Sequence, residues 1–180
     1  MNLFQDHPLI QEILSIPQLI GYLGYIIGVS TFLQKDDNKF RFQLTIVNII
    51  MALHFYLLSP DSYVASILNI INIFRNIASM HTRNTWVMIF FIGLMWILSL
   101  PTLSVPIQYL TVIGTSLVTY SLFRLSAQKM RIGILISSLL WIVYSLWIGS
   151  IGGIAIEITF TIANIITITK LRTPSAKFSS

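Results

Sequence analysis

The densest chemistry in this chain lies on one side of its last apolar segment. Glu157, Thr161 and Asn164 are separated by four and three residues, a spacing that puts a carboxyl, a hydroxyl and an amide on one face of a helix. A charged acid in the middle of a membrane helix costs about 2.5–3.5 kcal/mol on insertion scales, so such a group faces a cavity or a partner. Two roles are open to Glu157. One is a site acid that binds a cationic or hydroxyl group or takes up a proton; the other is a packing carboxyl satisfied by a neighbouring hydroxyl or amide. A second stripe, Asn69, Asn72 and Asn76, occupies positions i, i+3 and i+7 and can line a polar path or hydrogen-bond between helices. It ends beside Arg75, read as a cytoplasmic anchor whose stem lies in lipid and whose head reaches the headgroups. Ser138, Trp141 and Ser145 share a third face, where an indole can stack on a planar ligand, while Trp147 sits where interfacial tryptophans collect. His54 is a candidate proton carrier because an unperturbed imidazole has a pKa of about 6.5, although a lone helical histidine is more often simply hydrogen-bonded.

None of these groups belongs to a catalytic motif. Ser126 and Lys129 fit the short S-x-x-K pattern, but in a basic loop with no companion motif, and we take the match as chance. There is no H-E-x-x-H, no G-x-S-x-G and no phosphate-binding loop, and the three histidines are scattered. The chain has no cysteine, which removes thiol catalysis, disulfides and cysteine-based zinc sites. The expectation is a protein that is not an enzyme, needs no metal or cofactor, and acts by binding.

The elements that must position these residues are membrane helices. Hydrophobic residues make up 55% of the chain and charged residues 9%, with a mean hydropathy of +0.80, well outside the soluble globular range. Seven apolar segments, at about 16–33, 42–58, 62–77, 85–100, 106–123, 132–148 and 151–169, approach the length that crosses a ~30 Å hydrocarbon core. All 11 Lys and Arg residues fall at alternate gaps: Lys35, Lys39 and Arg41, then Arg75 and Arg83, then Arg124, Lys129 and Arg131, then Lys170, Arg172 and Lys177. Positive loops stay in the cytoplasm, so the N-terminus is expected outside and the C-terminus inside. The net charge of +5 does not point to nucleic acid, because the basic residues flank helix ends instead of lining a face with stacking aromatics. Residues 1–15 have no basic n-region and read as a retained outer cap or short interfacial helix.

Sliding the chain against itself by 90 to 92 residues aligns its halves. Pro17 and Gln18 fall near Pro106 and Gln108, Gly24 on Gly114, Thr45 on Ser137 and Asn72 on Asn164. Both units start outside and end inside, so they are parallel, and a parallel pair of odd units needs one extra crossing. The bulky segment at 85–100 supplies it. The expected fold is therefore an all-α membrane protein with seven transmembrane helices, in a 3+1+3 arrangement of two parallel triple-helix units. Its divisions are an outer cap (1–15), a first unit (16–80), a linker helix (81–105), a second unit (106–171) and a cytoplasmic tail (172–180). Gly21, Gly24 and Gly28 let the first segment approach a neighbour closely.

The stretch SIGGIAIE at 150–157 followed by Asn164, with HFYLL at 54–58, ASILN at 65–69 and TWVM at 85–88, resembles the YgjV family of bacterial inner-membrane proteins over most of the chain. That family is similar in plan to the SWEET sugar transporters and PnuC vitamin transporters. The resemblance implies a substrate between the two units, touched by Asn72 and Asn164 on the third helix of each and by an aromatic, Trp141 or Trp147, on the second. Asn69, Ser145, Thr161, Glu157 and His54 complete the candidate set. The expected function is an inner-membrane carrier of a small polar solute working by alternating access. The alternative is a receptor or assembly protein on the same bundle. The bilayer and the solute are the expected partners, nucleic acid is not, and a homo-oligomer is left open.

Overall fold

A computed structural model describes residues 8–31, 37–125 and 127–172. Expectations that fall on residues 1–7, Lys35, Ser126 and 173–180 lie outside the described residues. Among those described, every regular element is helical: α1 (Pro8–Ile13), α2 (Ile16–Thr31), α3 (Asp37–Leu58), α4 (Tyr63–His81), α5 (Thr85–Ser99), α6 (Tyr109–Arg124), α7 (Ala127–Ile148) and α8 (Ile151–Arg172). α3 and α7 begin several residues before their apolar stretches.

The turns follow local chemistry. Asn84 opens α5 by accepting the Trp86 amide at 2.8 Å, and Pro60 and Pro106 each start a single 3₁₀ turn, leading into α4 and α6. Gly149 has φ +73°, the left-handed conformation that closes the tight α7–α8 hairpin and that a side chain would resist.

Among the described residues, Arg41–Leu58, Thr85–Thr102 and Lys129–Ile148 are long and apolar enough to cross a membrane, and Ile16–Thr31 and Ile151–Ile166 are shorter apolar stretches. α4 and α6 are diluted by their own Asn, Arg, Thr and Ser residues. The distribution of polarity also marks lipid as the outer solvent. Trp86, Phe90 and Ile97 on α5, Ile136, Leu139 and Leu146 on α7, and Ile158, Ile162 and Ile165 on α8 are all exposed. Buried positions carry Gln18, Thr31, Thr45, His54, Asn69, Asn72, Arg75, Asn76, Thr119 and Asn164. A water-soluble bundle has the opposite arrangement. Many of these inward groups bond to a carbonyl of their own helix: Thr45 to Arg41 at 3.0 Å, Asn69 to Ala65 at 2.8 Å, Thr119 to Thr115 at 2.8 Å, Ser121 to Leu117 at 2.7 Å.

The helices close into a ring. α2 packs on α3, α3 on α4, α4 on α6, α6 on α7, α7 on α8, and α8 back on α2, while α5 lies against α4 and α6. A core of Val47, Met51, Phe55, Leu68, Met95, Val112, Trp141, Tyr144 and Ile156 ties the ring together. At the α2–α8 seam the contact is backbone on backbone. A Cβ on Gly152 would lie 2.4 Å from the carbonyl carbon of Gly21, whereas one on Gly93 of α5 would meet nothing within 4 Å. Gly152→Val should therefore force the seam apart and lose about 1–3 kcal/mol of stability, seen as a lower melting temperature in detergent, while Gly93→Ala stays within about 0.5 kcal/mol of wild type.

Candidate functional site

Inside the ring, α3, α4, α6, α7 and α8 enclose a cavity of about 130 Å³, several times the space one ordered water needs. α4 contributes Asn69, Asn72 and Arg75; α6 contributes Thr115; α7 contributes Arg131, Ser137, Ser138, Trp141 and Ser145; α8 contributes Glu157 and Asn164. Val47, Met51 and Phe55 of α3 and Ile156 and Phe160 of α8 supply apolar wall. The structure thus brings together six of the residues singled out from sequence: Asn69, Asn72, Trp141, Ser145, Glu157 and Asn164.

Several polar groups at this cavity are satisfied and several are not. Asn69 and Asn164 each donate their amide to a carbonyl four residues back, both at 2.8 Å, and the Arg131 guanidinium reaches the Asn164 carbonyl oxygen at 3.4 Å. Ser138 and Glu157 line the cavity together. By contrast Asn72 Oδ1, Thr115 Oγ1 and Ser145 Oγ are buried with no hydrogen-bond partner. A buried acceptor or hydroxyl left in that state costs about 1–3 kcal/mol, and the same holds for Gln43 Oε1, Asn76 Nδ2, Ser99 Oγ and Ser116 Oγ, on residues that do not line the cavity. Trp141 is held edge-on to Tyr144, with ring centroids 5.9 Å apart, and at 6.0 Å from Phe55. Its indole forms a fixed wall. Trp147, 43% exposed, faces outward and stands apart from the cavity.

Three residues named from the sequence lie in surroundings that spacing did not indicate. Arg75 is not a snorkelling anchor: it is 4% exposed, lines the cavity and donates to Asn76 Oδ1 from Nε and Nη2 and to Thr119 Oγ1 from Nη1 at 3.2 Å. α4 turns this position into the ring, where the bonding groups of Asn76 and Thr119 replace the headgroups. His54 does not reach the cavity. Its Nδ1 is 2.7 Å from the Pro17 carbonyl and its Nε2 is 2.6 Å from Ser150 Oγ, so Nδ1 donates and the ring pins α2, α3 and the start of α8 together. Thr161 also stands off the cavity; one turn past Glu157, its hydroxyl is buried without a partner elsewhere in the bundle. Thr115 was missed. Thr111, Thr115 and Thr119 recur every four residues along α6, a hydroxyl stripe comparable to the asparagine stripe of α4.

Above the cavity, two glutamines hold the hairpins. Gln18 donates to the Gly149 carbonyl at 2.7 Å and accepts the Ile151 amide at 3.2 Å, so α2 clasps the α7–α8 turn. Gln108 donates to the Asp61 carbonyl at 2.8 Å and accepts from the Ser104 and Val105 amides, so the start of α6 clasps the α3–α4 turn. The Tyr144 hydroxyl joins the same Asp61 carbonyl at 3.3 Å, which places both hairpins at one end of the bundle. Gln18 and Gln108 are the residues that the internal alignment sets near each other.

Apolar exterior, polar groups turned inward and all-helical architecture define a helical integral membrane protein with an internal cavity of mixed, largely apolar lining. Residues 15–174 match the Imp-YgjV family, described as a bacterial inner membrane protein, and the chain belongs to that family. It is 34% identical over 149 residues to inner membrane protein YgjV of Escherichia coli strain K12, an alignment that covers 83% of this chain and 80% of the relative. No solved structure matches the chain.

The histidine clasp gives a test that separates structure from binding. His54→Leu strands the Pro17 carbonyl and removes one partner of Ser150, and should lower thermal stability by about 1–3 kcal/mol in detergent without any added solute. An unchanged melting temperature would show that the clasp contributes nothing.

Proposed function

We propose that this protein is an inner-membrane carrier of a small polar solute, which binds in the cavity between two parallel triple-helix units, α2–α4 and α6–α8. The observation that carries the reading is a cavity inside an apolar-skinned bundle, lined by polar side chains from both units, among them Asn72 of α4, Thr115 of α6, Ser145 of α7 and Glu157 of α8. Asn72 and Glu157 bind from opposite units, Asn164 assists, and Trp141 supplies the wall against which a planar or apolar part of the solute rests. α5 contributes no side chain to the cavity, as a connecting crossing would not. Seven crossings with the N-terminus outside and the C-terminus inside fit the alternation of basic gaps. In this frame the Gln18 and Gln108 clasps lie at the outer end and close the cavity on that side. Exchange of those hydrogen bonds for water as the units rock would open it.

The absence of cysteine makes single thiols clean reporters. Reporter fusions at Lys39, Arg83, Lys129 and Arg172 should lie in the cytoplasm and those at Pro60, Thr102 and Ser150 outside; an external Arg172 would overturn the parallel units. Ser138→Cys in sealed vesicles should react with a membrane-impermeant maleimide supplied from either side, and Gln108→Ala should raise the outer rate severalfold. Labelling from one side only, in every variant, would instead favour the receptor or assembly reading.

A further inference from the structure

The charged side chains at the cavity limit what the solute can be. Arg75 is buried and lines the void, and among the described residues its donors reach the neutral Asn76 and Thr119. Glu157 lines the same void together with Ser138, and among the described residues no cation pairs with it. Two guanidinia, Arg75 and, beside Asn164, Arg131, share one cavity with a single carboxylate, and Arg75 does not pair with Glu157. The reason is axial. Both α4 and α8 start at the hairpin end, Arg75 twelve residues into α4 and Glu157 six residues into α8, so at 1.5 Å per residue their backbones differ in depth by roughly 9 Å.

Each simple class of ligand leaves one of these ions unmet. A neutral solute desolvates both without neutralising either, a lone anion meets Arg75 but is opposed by Glu157, and a lone cation has the reverse problem. A dipolar solute aligned along the membrane normal satisfies both. Asn72 Oδ1, between the two in depth and unpartnered, is an acceptor for an N–H or O–H of the same molecule.

Resting on the carrier reading above, we infer that the solute is a small zwitterion, its anionic group held by Arg75 toward the cytoplasmic side and its ammonium held by Glu157 toward the outside. Arg75 then supplies a forked donor to a carboxylate, and Glu157 a charged acceptor to the amine. Thr115 and Ser145 lie at the shallower level, where their hydroxyls meet the ammonium end.

The test is ligand-induced thermal stabilisation of the purified full chain in detergent, with probes of defined charge. β-Alanine, γ-aminobutyrate and 5-aminovalerate vary the distance between charges; valerate and pentylamine carry one charge each; glucose and uridine carry none. At millimolar concentration at least one ω-amino acid should raise the melting temperature by about 2 °C or more, with one chain length preferred, while valerate and pentylamine do not. Arg75→Gln and Glu157→Gln should each weaken that response at least about tenfold, and Arg75→Lys, which keeps the charge, should retain part of it. A shift with valerate alone, lost in Arg75→Gln, overturns the zwitterion in favour of a simple anion. A shift with glucose or uridine that survives both charge-removing variants but is lost in Asn72→Leu overturns the zwitterion and leaves the carrier standing. No shift with any probe, together with one-sided labelling of Ser138→Cys, removes the carrier and this inference with it.

Discussion

Hydrocarbon is the solvent of this protein's outer surface, and the placement of its polar groups follows from that. A side chain that can hydrogen-bond has no partner in lipid, so it must face inward or bond to its own backbone. The chain does both. Asn69, Asn164 and Thr119 donate to carbonyls four residues back, and Gln18, Gln108 and His54 reach across to neighbouring elements. Buried polar atoms without a hydrogen-bond partner remain both at residues lining the cavity, Asn72, Thr115 and Ser145, and away from it, at Gln43, Asn76, Ser99, Ser116 and Thr161.

Much of this was legible in the sequence because helical spacing records which residues share a face. The stripes at Asn69 and Asn72, Trp141 and Ser145, and Glu157 and Asn164 were found that way, and each meets the cavity. Spacing does not record which way a face turns relative to its neighbours. Arg75 sits at a helix end in sequence, where a basic residue ordinarily reaches headgroups, yet α4 turns it into the ring. His54 lies in an aromatic stretch whose spacing gives no hint that a carbonyl from α2 and a hydroxyl from α8 converge on it. Thr115 was passed over because a threonine is unremarkable in a membrane helix until its hydroxyl is found without a partner. Thr161 shows the converse, since seven residues of shared helical face are wide enough to bring Glu157 and Asn164 to the void and leave the residue between them off it.

The two glutamine clasps are built alike. Residue by residue the halves share little, but the same amide at the start of α2 and of α6 grips a hairpin formed by two other helices. Each clasp is made of an uncharged side chain and main-chain groups, which change partners at lower cost than buried ions do. The α2–α8 seam differs in kind. There Gly21 and Gly152 bring two backbones together with no side chain between them, a contact that tolerates sliding but not insertion.

The back-bonded hydroxyls and amides bear on how the chain is made as well as how it stands. A helix leaving the translocon enters lipid before later helices exist to receive its polar groups. Thr45, Asn48, Asn69, Thr119, Ser121, Thr159 and Asn164 each bring a carbonyl from one turn earlier in their own helix. Their desolvation is met within a single rod, so α3, α4, α6 and α8 carry part of their own solvation while they wait for the bundle to close. Arg75 is met only in part by its neighbour Asn76, and its remaining bond, to Thr119, waits for α6 to arrive.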